Sequence, residues 1–132
     1  MEHSALRAYE SAARMSTSTR ELEATALFKA ARKLEACQRD WNAADRGTRL
    51  EEALRYNQRL WTFFQSALSQ PDHHLDAALR GNILSLSVFV DRRTFEVMAN
   101  PDKDGLQALI NINRNLATGL SAKPDPKGAS HQ

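Results

Sequence analysis

The chain has a single cysteine, Cys37, in 132 residues. No intrachain disulfide can form, so packing alone must hold the fold. Cys37 falls on the apolar side of a predicted helix, where a small buried core residue is expected rather than a nucleophile. No apolar run approaches the length of a membrane span, and the first residues lack the apolar segment of a secretory signal. These absences predict a cytoplasmic chain without membrane insertion. Long runs of Lys or Arg are missing too. Acidic and basic residues are interspersed and the formal net charge is +2, so direct binding of nucleic acid is not expected.

The residues for chemistry are also missing. There is no Gly-rich phosphate loop, nucleophile elbow or CxxC pair. His73 and His74 are adjacent, with Asp72 and Asp76 nearby, but they lack the i, i+4 spacing of helical zinc sites. A solvated helix start is expected there. His3 and His131 fall in segments expected to be disordered. The reading is a protein that is not an enzyme and has no cofactor and no metal.

What the sequence does carry is helical periodicity. Its 42% hydrophobic and 26% charged residues suit one soluble domain with one core. Residues 1–15 place Ala5, Tyr9, Ala12 and Ala13 at helical spacing and predict a short N-terminal helix, broken at Ser16-Thr17-Ser18-Thr19. A second helix starts at Ser18, with Glu21 completing a capping box. It carries the seam Leu27, Ala30, Leu34, Cys37 and Trp41, leaves Phe28 off that seam, and ends at Asp45-Arg46-Gly47 with Gly47 as a left-handed cap. A third helix starts at the Thr48–Glu51 box. Its main stripe is Leu50, Ala53, Leu54, Asn57, Trp61, Phe64 and Leu68, and a second stripe is Tyr56, Leu60, Phe63 and Ala67.

The most apolar stretch, Gly81 to Thr94, reads as the middle of a fourth helix starting at Pro71-Asp72. One stripe is Leu75, Leu79, Leu86, Val90 and Val97. Nearly opposite lie Leu84, Val88 and Phe95. A helix apolar on two sides is expected to be the central core helix. The alternative is that it offers one face to another chain. A last helix, about Gly105 to Leu120, carries Leu106, Leu109, Ile110, Asn113, Leu116, Ala117 and Leu120. The fold class is therefore all-α: a small bundle of four principal helices plus the short N-terminal one. Residues 1–120 form a single domain and 121–132 a disordered tail.

Four polar residues sit on apolar stripes: Asn57, Asn82, Asn113 and Arg93. For the three asparagines a shared hydrogen-bond network that fixes helix register is expected. For Arg93 two roles stay open, part of the scaffold or a polar lock inside a peptide groove.

Ala53-Leu54-Arg55-Tyr56-Asn57-Gln58-Arg59-Leu60-Trp61, then Leu79-Arg80 through Ile83, Ser85-Leu86, Phe89-Val90, Arg92 and Thr94, then Leu109-Ile110-Asn111-Ile112-Asn113-Arg114 with Gly119-Leu120, stand in order along the chain. Together these segments resemble the FlaF family, flagellar biosynthesis regulators of alphaproteobacteria, over roughly Tyr9 to Leu120. Asn111 stands where that pattern has Asp. The resemblance implies a small all-α protein without enzymatic activity that serves flagellin synthesis and export alongside FlbT.

Two functions follow from the resemblance. The first is a flagellin secretion chaperone that holds an amphipathic flagellin segment in an apolar groove, with flagellin as partner. Tyr56, Phe63, Leu84, Val88 and Phe95 are the candidate groove residues, with Arg93 as a polar contact. The alternative is a post-transcriptional regulator of flagellin translation, acting through FlbT or flagellin messenger RNA. Direct RNA binding would need a basic surface, whereas Arg55, Arg59, Arg92, Arg93 and Arg114 are scattered.

Overall fold

The computed structural model describes the backbone of residues 2–73 and 75–122, and side chains for Arg7 and from Thr19 onward within those ranges. Among the described residues four α-helices make up the fold: α1 (Glu2–Arg39), α2 (Arg46–Leu68), α3 (Ala77–Ala99) and α4 (Leu106–Ser121). A 3-10 turn, Lys103–Gly105, leads into α4. No strand occurs among the described residues, so the fold is the expected all-α bundle.

The core lies between α1, α2 and α4. On α1 the buried face alternates leucine with alanine: Ala24, Leu27, Ala30, Ala31 and Leu34. The small residues let α4 pack closely, with Leu106, Leu109, Ile110 and Ala117 filling the other side. The stripe read on α2 is buried residue for residue, from Leu50 to Leu68. Cys37 is buried as expected, and burial raises the pKa of its thiol. Phe28 packs, half-buried, against this core.

Three boundaries differ from the sequence reading. The Ser16–Thr19 stretch is not a break, because α1 runs through it and no separate N-terminal helix exists. Ser and Thr cost a helix only a few tenths of a kcal/mol each, and no Gly or Pro lies there to stop it. The Ser18–Glu21 box is therefore helix interior. The side chains of Ala5, Tyr9, Ala12 and Ala13, like His3, His74 and the tail at 123–132 with His131, lie outside the described residues.

The second difference is at the α1–α2 turn. There, α1 ends at Arg39 and α2 already begins at Arg46, so Gly47 lies inside α2 and caps nothing. Arg49 holds the turn, 2.9 Å from Asp40 and 3.7 Å from Asp45. Arg46 stacks on Trp41 at 4.3 Å. These contacts tighten the connection and leave the Thr48–Glu51 box unused. The third difference is at α3. Asp76, not Asp72, caps that helix by accepting the Leu79 amide at 2.7 Å.

The expectation of a central α3 is overturned. This helix packs chiefly on α2, touches α4 only lightly and lies at the edge of the bundle. Its inward face is Ile83, Ser87, Val90, Thr94 and Val97, which keeps Val90 and Val97 of the first predicted stripe but leaves Leu79 and Leu86 exposed. The two hydroxyls are hidden because Ser87 donates to the Leu84 carbonyl and Thr94 to the Val90 carbonyl, both on their own helix. Leu79, Leu86, Val88, Phe95 and Met98 stay exposed. Gly81 has nothing near its missing Cβ, so it permits no close helix approach.

Candidate partner-binding surfaces

At the centre of the bundle three polar side chains form one chain of hydrogen bonds. The Trp61 indole N–H donates to Asn113 Oδ1 at 2.9 Å, and Asn113 Nδ2 donates to Asn57 Oδ1 at 2.7 Å. All three residues are 0% exposed. Indole is only a donor, so Asn113 must turn its oxygen to Trp61 and its nitrogen to Asn57. The chain joins α2 to α4 and fixes their register. Asn82 does not belong to it, because Asn82 lies on the solvent side of α3. Trp61, in turn, was not read as a member. The available signal was its place one turn after Asn57 on the same stripe, together with a donor that needs a partner when buried.

The polar ties between α1 and α4 lie nearer the surface. Arg114 forks onto both oxygens of Glu35, and this bond lowers the Glu35 pKa. Gln38 donates to the Lys103 carbonyl and to Gln107. Arg93 reaches the Gly105 carbonyl at 3.3 Å, pairs with Glu96 at 3.2 Å and stacks on Phe89. Its guanidinium thus joins α3 to the start of α4, which is scaffold geometry. The packing is tight at this point, since a Cβ on Gly105 would meet the Val97 side chain at 3.0 Å.

The predicted groove residues fall on two separate surfaces. Tyr56 faces α1, with the ammonium groups of Lys29 and Lys33 5.5 and 5.3 Å from its ring centroid. Phe63, two turns further along α2, shares that stripe and is 60% exposed. The opposite flank of α2 meets α3, where Gln65 donates to Asp91. Asp91 marks the stripe of α3 that carries Leu84, Val88 and Phe95. Val88 and Phe95 are 63% and 60% exposed, while Leu84 is half-buried against the core. The outer ridge of α2 lies between the two surfaces, so the five residues do not line one groove. Where α3 ends, Leu50, Leu54, Val97 and Met98 line a cavity of about 310 Å³ bordered by Arg46, Arg55 and Pro101.

One titratable pair sits where α1 meets the α2–α3 connection. Glu23 is buried and its carboxyl is pushed up to about 7 by loss of solvent, against a lowering by Arg20. His73 Nε2 lies 3.6 Å from it. Burial and Arg80 lower the His73 pKa, while Asp72 raises it.

Among the described residues no group of three His, Cys, Asp or Glu could hold a metal, and no helix is long and apolar enough to cross a membrane. What remains is an all-α bundle with a sealed polar centre and large apolar side chains left on its outside. The chain belongs to the family of the flagellar protein FlaF, whose family model matches residues 5–120. No curated protein and no solved structure matches.

Proposed function

We propose that this protein is a non-enzymatic flagellin secretion chaperone of the cytoplasm. One observation carries the reading: α3 holds Val88 and Phe95 out to solvent seven residues apart, with Leu84 four residues before Val88. That spacing lines up apolar anchors for an amphipathic helix of the partner. Unpolymerised flagellin has amphipathic terminal segments that must be kept from assembling early. Covering what remains exposed of these three side chains gains roughly 2–5 kcal/mol before ordering costs. A micromolar complex needs about 8 kcal/mol, so further contacts along the stripe must offset the several kcal/mol that ordering the segment costs. Met98 extends the stripe to the cavity at the end of α3.

Calorimetric titration with monomeric flagellin, run in parallel with FlbT, tests this. Saturable binding to flagellin with a negative heat-capacity change is expected. The double variant Val88→Asp/Phe95→Asp should lose that binding and keep its helical circular dichroism. If only FlbT binds, the protein is an adaptor in translational control. If the double variant unfolds, the stripe belongs to the core.

A further inference from the structure

The other exposed apolar site lies along α1 and α2, outside the α3 stripe proposed for flagellin. The two helices are antiparallel, and the Lys33–Glu52 pair at 3.9 Å and the stacking of Lys29 and Lys33 on Tyr56 fix their register. Each turn back along α1 meets a turn forward along α2, so Leu22 stands level with Phe63. Leu22 is 68% exposed. At this end the surface is apolar, with half-buried Leu60 and Ala67 behind Phe63.

Toward the middle of the bundle the same surface turns basic. Lys29 and Lys33 follow Leu22 at i+7 and i+11 on α1, and Arg59 lies between Tyr56 and Phe63 on α2. Lys29 and Arg59 make no ion pair among the described residues, and Glu52 is the only acid paired there. Three cations thus face one carboxylate. At 1.5 Å per residue Lys29 and Lys33 lie about 10 and 16 Å from the apolar end, and Arg59 about 6 Å from it.

We infer that the Leu22–Phe63 surface docks an acidic amphipathic helix of a second protein partner. Its apolar side chains sit on Leu22 and Phe63. Acidic side chains two to three turns along the same face meet Lys29 and Lys33, and Arg59 lies one turn from Phe63 beside their path. This surface is separate from the α3 stripe, so both can be occupied at once.

The probes are two labelled helical peptides, read by fluorescence anisotropy. Both carry leucines at one end of a face. One has glutamates seven and eleven residues further along that face, and its twin has lysines there. The glutamate peptide should bind at least tenfold tighter than its twin, and added salt should weaken it. Phe63→Asp should cut its binding at least tenfold. Lys29→Glu/Lys33→Glu should do the same and transfer the preference to the lysine peptide, an exchange that misfolding cannot produce. Val88→Asp/Phe95→Asp should leave it unchanged. Equal binding of the two peptides, no binding of either, or loss only in the α3 variant would overturn the inference.

Discussion

Helices α3 and α4 are both rich in apolar residues, and the bundle uses them in opposite ways. On α4 the large side chains Leu106, Leu109, Ile110 and Leu120 are buried. On α3 the inward face contains Ser87 and Thr94, while Phe95, Val88, Leu86 and Leu79 stay outside. Apolar content therefore does not decide which face turns inward. Fit against the neighbouring helix does, because small and β-branched side chains with hidden hydroxyls suit the shallow seam on α2. Of the large groups left over, Val88 and Phe95 are more than half exposed, and that is why the partner-binding role is proposed for α3.

The strongest test sets Asn113 of α4 against Asn82 of α3. Asn113→Ala leaves the buried Trp61 N–H and Asn57 side-chain carbonyl without the partner they share, and about 3–5 kcal/mol of stability should be lost. Asn82→Ala should change stability by less than about 0.5 kcal/mol. Urea denaturation of both variants measures the contrast, and equal losses would erase the distinction between the two helices.

The connection leading into α3 responds to pH through Glu23. Its folded pKa, about 7, lies above the unfolded value of 4.5. The native state then holds a proton that the unfolded chain has released, so Glu23 stabilises the fold below pH 4.5 and this contribution is lost as pH rises through 7. Glu23→Gln keeps the neutral form at every pH. It should be more stable than the parent at pH 8 by about 1–3 kcal/mol and equal to it near pH 4. Thermal melts across that range check the sign, and a variant less stable than the parent at pH 8 would refute it.

Gly81→Ala should give a small effect of the opposite sign to Asn113→Ala. The site is open and helical, so a methyl group there should add about 0.5–1 kcal/mol of stability. A loss would mean that α3 packs more closely than its exposed residues indicate.

These contrasts also mark how far the sequence could be read. The stripe of α2 and the buried face of α4, with Asn57 and Asn113 inside them, are plain from spacing because each helix has one dominant apolar side. On α3 the spacing is ambiguous, since leucines and valines occur on two sides and the true inward face includes hydroxyls that look polar in sequence. The helix ends were misread for a related reason. Capping pairs such as Ser18–Glu21 and Thr48–Glu51 recur by chance inside helices, and the real turn is held by Arg49 and two aspartates that no local pattern announces. Periodicity alone also cannot show that Tyr56 and Phe63 lie on a different surface from Val88 and Phe95, because that depends on which flank of α2 faces α3.

Cys37, described above only as a core residue, has one more consequence. It is the chain's sole thiol and it is sealed between α1 and α2. A thiol reagent can reach it only when that seam parts, and each labelling event adds one mass to an otherwise unreactive chain. Under native conditions the labelling rate is therefore a clock for opening of the α1–α2 seam. Detachment of α3 leaves that clock silent, so the looser helix can come and go without being counted.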